Sequence, residues 1–245
     1  MTRKYAFSNA STGITLALIT LEEFSEWTVG KEEMYILETQ HKIYAEIANI
    51  IRSIQGFVFS VNYDNLLAVI NNIDVPKMVK ELENISKSYG INLIITFGYG
   101  TSAKSALDNI SQHYLNNNEC ILSNKEVICL HFDIDSYLSK TDCNVQAADE
   151  FLHRYLTLIR DIYPDFVGFH ISGDNLIFFG VDTDIENIKS KFISLNDDKL
   201  KLGVGISKYP ADAATKSAYA LENIRHARDK SSTPIDLEKR FNVVS

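Results

Sequence analysis

The amino-acid sequence predicts an α+β protein made of two tandem βαββαβ units, the arrangement called ferredoxin-like. Two observations indicate this fold class. Short apolar runs typical of buried strands alternate with longer segments in which apolar residues recur at helical spacing. The order strand, helix, hairpin, helix, strand then occurs twice, and matching residues in the two halves lie at a nearly constant separation. We therefore expect that the chain arose by internal duplication.

The first unit is expected at residues 14–123, after a polar extension, residues 1–13, that we predict to be loose. Its opening strand ends at two glutamates, Glu22 and Glu23. Capping signals support the helix between Asp74 and Gly90, which carries Pro76 in its first turn. The predicted elements are a strand at 14–21, a helix at 32–54, hairpin strands at 57–61 and 66–70, a helix at 74–90, a strand at 91–97 and a helix to about residue 115.

The second unit is expected at residues 124–245, because polar runs at 116–119 and 124–126 offer the best boundary in the chain. It repeats the order of the first unit. The predicted elements are a strand at 128–132, a helix at 145–159, hairpin strands at 166–171 and 176–180, a helix at 184–193, a strand at 200–206 and a helix that Pro210 opens and that runs to about Arg228.

Three sets of residues match between the halves and support the duplication. They are Asp64-Asn65-Leu66 with Asp174-Asn175-Leu176, Gly98-Tyr99-Gly100 with Gly203-Val204-Gly205, and 106–110 with 220–224.

Composition and charge exclude several functional classes. The chain has 245 residues and a formal net charge of −8 at pH 7, which argues against bulk attraction to nucleic acid. No apolar run is long enough to cross a membrane, and nothing resembles a signal peptide. The three cysteines, Cys120, Cys129 and Cys143, lack metal-ligand spacing, which favours a reducing cytoplasm over a zinc site.

Two aspartates carry the clearest chemical signal. Asp133 ends an apolar strand, and Asp174 lies at the tip of the hairpin around Ser172-Gly173-Asp174-Asn175. An unpaired buried carboxylate is costly, so such a group is normally paired or bound to metal. If the strand end and the hairpin tip converge, the two carboxylates suit Mg²⁺. The alternative is that Asp174 is only a turn residue. Whether Asp135 shares the face of Asp133 depends on where the strand ends, which the sequence does not decide.

The ordered set of motifs resembles the archaeal GTP cyclohydrolase III family, whose members are tandem pairs of palm-like halves related to nucleotide cyclase and GGDEF domains. The resemblance runs from about residue 14 to residue 228. The motifs that carry it are Glu26-Trp27-Thr28, Tyr63-Asp64-Asn65-Leu66, 130–135 (LHFDID), Gly173-Asp174-Asn175, Gly203-Val204-Gly205-Ile206 and 221–225 (LENIR).

This resemblance implies a definite activity. The enzyme would open the imidazole ring of GTP by hydrolysis and cleave its triphosphate, leaving 2-amino-5-formylamino-6-ribosylamino-4(3H)-pyrimidinone 5′-monophosphate and phosphate. It would use two Mg²⁺ ions and a monovalent cation such as K⁺, act in riboflavin or deazaflavin biosynthesis, and form a homotetramer. Nucleic acid and membranes are not expected as partners.

The resemblance also implies roles for individual residues. Asp133 and Asp174 would be catalytic and would bind metal together with the backbone of Ile134. The substrate would be bound by a larger set: Ile134, Asp135, Ser136, Tyr137, Gly173, Asn175, Lys208, Arg225 and Trp27. Backbone amides from Ile134 to Tyr137 would hold phosphates if a helix begins there. Arg225 offers a bidentate guanidinium for phosphate, and its alternative is a solvated helix face. Trp27 would contact the base, but a lone Trp next to a strand is more often a core residue.

The sequence departs from the family pattern at two places that bear on the metal site. Glu22-Glu23 stands where family members tend to carry Asp, and Ser172 replaces the first Gly of Gly-Gly-Asp-Asn. We therefore expect the metals in the second unit. A nucleotide or dinucleotide cyclase on the same palm, and a non-catalytic nucleotide-binding pair, are the alternative functions.

Overall fold

The computed structural model describes residues 5–22, 24–62, 64–113, 119–135, 145–182, 184–229 and 237–245. The chain divides into two compact units. Unit 1 comprises Met1–Thr101 with Ser105–Lys125, and unit 2 comprises Ser102–Lys104 with Glu126–Ser245. Among the described residues, no helix combines the length and the apolar character that crossing a membrane requires.

Unit 1 is built on a four-stranded antiparallel sheet that has the ferredoxin-like strand order. The elements of this part of the chain are β1 (Ala6–Ala10), β2 (Ile14–Glu22), α1 (Phe24–Thr28), α2 (Glu33–Ser53), β3 (Phe57–Ser60), β4 (Asn65–Val69), α3 (Val75–Tyr89), β5 (Asn92–Gly100), α4 (Ala103–His113) and β6 (Glu119–Ser123). The sheet runs β3-β4-β2-β5, so the first strand of the βαββαβ motif, β2, lies between the third and the fourth. This order confirms the predicted fold class.

The predicted capping of α3 is also confirmed. The Asp74 carboxylate accepts a hydrogen bond from the Lys77 amide at 3.0 Å, and Gly90 ends the helix in the left-handed conformation at φ 64°. In unit 2 the Asp184 carboxylate accepts from the Asn187 amide at 3.0 Å in the same way. Both hairpins are therefore followed by a helix that begins at an aspartate N-cap.

The extension before residue 14 is not loose throughout, contrary to the sequence prediction. Residues Ala6–Ala10 form β1, which pairs in parallel with β6. The Asn124 amide then donates to the Ala10 carbonyl at 2.8 Å, and the Ser123 hydroxyl donates to the Gly13 carbonyl at 2.6 Å. Sequence patterning missed this pair because β1 is short, polar and largely exposed, and its partner lies far along the chain.

Unit 2 has the same four-strand order with one additional strand. Its elements are β7 (Val127–Ile134), α5 (Val145–Ile162), β8 (Val167–Ser172), β9 (Asn175–Gly180), α6 (Ile185–Ser194), β10 (Leu200–Ser207), α7 (Pro210–Asp229), a 3₁₀ helix (Leu237–Arg240) and β11 (Phe241–Val244). The sheet runs β11-β10-β7-β9-β8, and β11 pairs in parallel with β10. The sequence analysis did not predict β11.

Side chains of β7 alternate between two environments. Ile128, Leu130, Phe132 and Ile134 belong to the apolar core that α5 and α6 cover. Cys129 faces α7, where it accepts a hydrogen bond from the Ser217 hydroxyl at 3.2 Å. Because side chains alternate along a strand, residues at odd-numbered positions of β7 share the face that α7 covers.

Close helix packing on that second face depends on glycine in both units. A Cβ atom on Gly203 would lie 2.2 Å from the Ser217 carbonyl oxygen, and one on Gly98 would lie 2.1 Å from the Ala106 carbonyl oxygen. By these contacts, Ala106 of α4 is equivalent to Ser217 of α7. The sequence comparison instead aligned Ala106 with Ala220, so it was out of register with the helix packing by three residues, nearly one helical turn.

We predict that Gly203→Ala lowers the free energy of unfolding by at least ~2 kcal/mol, because the new methyl group would overlap a backbone carbonyl that cannot move aside freely. Gly90→Ala is the control, since nothing lies within 4 Å of its Cβ position and only the left-handed backbone at φ +64° is strained. That strain costs about 1 kcal/mol. Urea unfolding measures both values, and an equal loss in the two variants would contradict the packing explanation.

Candidate active site

Asp133 is the centre of the charged cluster in unit 2. It lies near the end of β7 and is only 3% exposed. Lys201 of β10 stands directly opposite it in the antiparallel register. The Lys201 ammonium lies 3.0 Å from Asp133 Oδ2, and the Arg225 guanidinium of α7 lies 3.1 Å from Asp133 Oδ1. Both oxygens of this buried carboxylate therefore face a cation, as burial of charge requires.

Asp135 shares the face of Asp133, which settles a point that the sequence left open. The Lys201 ammonium contacts Asp135 Oδ1 as well as Asp133. On its other side, Asp135 Oδ2 accepts a hydrogen bond from Arg240 Nη1 at 2.9 Å. Arg240 is the last residue of the 3₁₀ helix and is 7% exposed. The cluster thus runs as an alternation of cation and carboxylate from Arg240 to Arg225.

Asp174 is held beside this cluster by the predicted hairpin, which the structure confirms. Gly173 adopts the left-handed conformation at φ 56°, which allows β8 to turn directly into β9. The Ile134 amide donates to the Asp174 carbonyl at 3.2 Å and fixes the turn to the end of β7. The Asn175 side-chain amide donates to Asp174 Oδ1 at 2.9 Å.

Asn175 also connects Asp174 with His131. His131 Nε2 lies 3.0 Å from Asn175 Oδ1, where the carboxamide oxygen accepts the imidazole proton. Burial lowers the pKa of His131, so this ring is held in its neutral form. The buried Nδ1 atom has no hydrogen-bond partner among the described residues. His131 and Asn175 together orient the Asp174 carboxylate.

The pKa of Asp174 reflects its proximity to the Asp133 carboxylate. Partial burial raises the pKa of Asp174, and the negative charge of Asp133 raises it further. Arg225 and Lys201 oppose this shift. A divalent cation between the two carboxylates would relieve their repulsion.

The donor set fits Mg²⁺ better than zinc. Among the described residues, no group of three or more His, Cys, Asp and Glu side chains could hold a metal ion. Zinc sites need such a group, whereas Mg²⁺ is commonly bound by one or two carboxylates and completes its shell with water and substrate phosphates. Asp133 and Asp174 meet that requirement. Asp135 does not add to the set, because two buried side chains, Lys201 and Arg240, bind both of its oxygens. Asp133 differs, because the cation at its Oδ1 belongs to a half-exposed side chain.

Some of the predicted substrate-binding groups are used within the protein. The Ile134 amide is bonded to Asp174, and the Asp135 amide donates to the Lys199 carbonyl at 2.7 Å. Neither amide can therefore hold phosphate in this structure. Ser136 and Tyr137, the remaining members of that predicted cradle, lie outside the described residues.

Two other predicted residues have a different setting: Lys208 lies away from this cluster along β10, and Trp27 belongs to the other unit. Lys208 follows the end of β10 that pairs with Val127, seven residues from Lys201, which is about 23 Å along a strand. Trp27 belongs to α1 in unit 1, where its ring stacks on Tyr35 with centroids 6.0 Å apart. The Lys31 ammonium lies 3.3 Å from the centroid of that indole ring. Packing within unit 1 accounts for Trp27.

Lys201 and Arg240 were missed by the sequence analysis. Lys201 is the only charged residue of the otherwise apolar strand Leu200–Ser207, which is a signal that could have marked it. Arg240 had no comparable signal, because it stands in a polar segment after α7 with other charged residues around it.

Unit 1 has no carboxylate at the position that corresponds to Asp133. In unit 2, Asp133 pairs with Asn175 and Lys201, whereas in unit 1 Thr20 pairs with Asn65 and Ile94. The Thr20 hydroxyl donates to Asn65 Oδ1 at 2.8 Å, which makes a neutral pair. Asp64 keeps the hairpin position of Asp174, and its carbonyl accepts from the Leu21 amide at 2.8 Å. Unit 1 therefore repeats the backbone arrangement without the buried charge.

We predict that Asp174→Asn raises the free energy of unfolding of the metal-free protein at pH 7. The folded-state pKa of Asp174 is raised, so its ionised form is disfavoured in the folded state, and this destabilisation develops as pH rises through the window between the unfolded and folded values. The gain should vanish as pH falls below the unfolded pKa of about 3.9.

Thermal unfolding in the presence of a chelator, at several pH values, measures this gain. Asp64→Asn, at the equivalent hairpin position of unit 1, is the matched control and should show little change. A gain of the same size at low and neutral pH would contradict the electrostatic origin.

Comparison with known proteins places the chain in a family. The sequence model of the family described as GTP cyclohydrolase III matches residues 16–236. The chain is 28% identical to the GTP cyclohydrolase III of Sulfurisphaera tokodaii, over 89% of this chain and 96% of that protein. It is 27% identical to GTP cyclohydrolase III 1 of Halobacterium salinarum, over 87% of this chain and 95% of that protein.

Among solved structures, the active GGEEF domain of a diguanylate cyclase from Vibrio cholerae superimposes with a TM-score of 0.39 and 17% identity, covering 49% of this chain and 84% of that one. The match of the family to almost the whole chain is the finding that decides its classification. The chain belongs to the GTP cyclohydrolase III family.

Proposed function

We propose that this protein hydrolyses GTP to 2-amino-5-formylamino-6-ribosylamino-4(3H)-pyrimidinone 5′-monophosphate, with release of the terminal phosphates. The observation that carries the proposal is that a buried carboxylate, Asp133, lies close enough to the hairpin carboxylate Asp174 to raise its pKa, in a chain of this family. K⁺ dependence and a homotetramer belong to the same proposal, because the family resemblance implies both.

The proposed reaction uses water at two kinds of bond. One water opens the imidazole ring, and the ring carbon remains on the product as a formamide. A second water cleaves the triphosphate and leaves a monophosphate, and hydrolysis of the released pyrophosphate consumes a third. No redox partner is required, since every step is a hydrolysis.

Different side chains of unit 2 would bind the metal, contact the phosphate and orient the metal ligand. Asp133 and Asp174 would hold Mg²⁺, which when bound polarises a phosphate and lowers the pKa of a bound water. Arg225 keeps one nitrogen on Asp133 while 53% of its side chain is exposed, so its guanidinium can meet an incoming phosphate. His131 and Asn175 keep the Asp174 carboxylate oriented throughout.

Incubation with GTP and Mg²⁺ should give the formylaminopyrimidine monophosphate and phosphate, identified by mass spectrometry and ultraviolet absorbance. Activity should survive a zinc-selective chelator, because the proposed metal ligands are all oxygen. A cyclic nucleotide would instead indicate the cyclase alternative, and unchanged GTP a binding protein. Recovery of lost activity by zinc alone would contradict the assigned metal ligands.

The two units should respond very differently to removal of a carboxylate. Asp133→Asn and Asp174→Asn should each lower turnover by at least ~100-fold, the scale of losing one preorganised electrostatic group. Asp64→Asn and Glu22→Gln in unit 1 should cost much less, because Thr20 takes the place of a carboxylate there.

Steady-state kinetics with a check of the fold by circular dichroism measures this contrast. Equal losses in both units would mean that both contribute to catalysis. Turnover like that of the wild type in folded Asp133→Asn and Asp174→Asn would remove the metal site from the proposal.

A further inference from the structure

We propose that the Lys201 ammonium permanently occupies one of the two cation positions at Asp133, so that Asp133 and Asp174 bind one Mg²⁺ ion rather than two. This inference rests on the proposed Mg²⁺ site and deepens it. It replaces the pair of ions that the family resemblance implies with one ion and one fixed side-chain cation.

The position of Lys201 is fixed by the sheet itself. Lys201 pairs directly with Asp133 across the β7–β10 ladder, and its side chain is only 5% exposed. Its ammonium lies 3.0 Å from Asp133 Oδ2. A metal ion on the same side of that oxygen would need to displace this buried ammonium from its carboxylate, which is costly.

A second carboxylate prevents Lys201 from withdrawing. The same ammonium is bonded to Asp135, and Asp135 is bonded on its far side to Arg240. Two cations and two carboxylates therefore neutralise one another within the buried part of the cluster. Arg240 is a positioning residue in this arrangement, because it acts on Asp133 only through Asp135 and Lys201.

The other oxygen of Asp133 is in a different situation. Its partner, Arg225, reaches from α7 with a half-exposed side chain, so it can turn towards solvent or a phosphate when an ion arrives. Asp133 Oδ1 is therefore the oxygen that can be released to a metal. Because Asp133 keeps one cation and can release the other, the geometry favours a single divalent ion.

Lys201 also sets how strongly that ion binds. A positive charge a few ångströms from a divalent cation opposes its binding, and in a largely buried site this repulsion is worth at least a ~10-fold change in affinity. Removing the charge of Lys201 should therefore tighten Mg²⁺ binding, even though it also removes the ion pair between Lys201 and Asp133.

Calorimetric titration of the nucleotide-free protein with Mg²⁺ tests the proposal. Electron paramagnetic resonance, which counts the Mn²⁺ ions bound per chain, gives an independent stoichiometry. The wild type should bind one ion, and Asp174→Asn should abolish this binding. Lys201→Met should bind Mg²⁺ at least ~10-fold more tightly or take up a second ion. Lys199→Met is the matched control, because it removes the same charge two residues away in the chain and should bind like the wild type.

Lys201→Met leaves Asp135 with one cation fewer, so this variant could fail to fold, and a second variant is needed. The double variant Lys201→Met/Asp135→Asn removes one charge of each sign and should also bind Mg²⁺ more tightly than wild type. Two Asp174-dependent ions per wild-type chain, or Mg²⁺ binding by folded Lys201 variants that equals that of the Lys199 control, would overturn the inference. If either result occurs while the formylaminopyrimidine product still forms, the proposed GTP hydrolysis stands and only this inference fails. If one ion binds but no product forms, the proposed function fails and this inference stands.

Discussion

The neutralisation of Asp133 is the interaction on which the rest of unit 2 depends. A carboxylate with 3% exposure has lost nearly all of its hydration, and it is tolerable only because a cation stands at each oxygen. Removing one partner of a buried ion pair costs about 3–5 kcal/mol. This requirement links three elements that are distant in sequence: the end of β7, the start of β10 and the last turns of α7. The cluster is therefore as much a constraint on folding as a candidate site for chemistry.

The two units show what that constraint adds to a shared framework. Each has the same strand order and a hairpin whose turn carbonyl accepts a hydrogen bond from the first strand. They differ in the register between the first and the last strand of the motif. In unit 1, Gly98 pairs with Leu16, which lies four residues before Thr20. In unit 2, Gly203 pairs with His131, which lies only two residues before the equivalent position, Asp133. The glycine that seats the covering helix thus lies two residues, or about 7 Å, nearer to the hairpin end in unit 2.

Local patterns were enough to predict the framework, because strand and helix periodicity, aspartate caps and the hairpin turn are encoded within a few residues of one another. The hairpin and the caps at Asp74 and Gly90 follow directly from such signals. The polar strand β1 and the terminal strand β11 escaped prediction, because each depends on parallel pairing with a distant segment. The partners of Asp133 escaped for the same reason. Lys201 is visible in the sequence as a charge in an apolar strand, but only the register of β10 against β7 shows which carboxylate it meets.

The 3₁₀ helix and β11 have a consequence for the order of folding. The ion pair between Asp135 and Arg240 joins residues 105 positions apart, and β11 adds its parallel pairing to β10. Contacts of such long range close late, because the entropy of ordering the intervening chain must be met before they form. The βαββαβ framework can assemble from nearer contacts, but the environment of Asp135 is completed only when this distant segment docks. Refolding should therefore restore the sheet first and the full charge cluster afterwards.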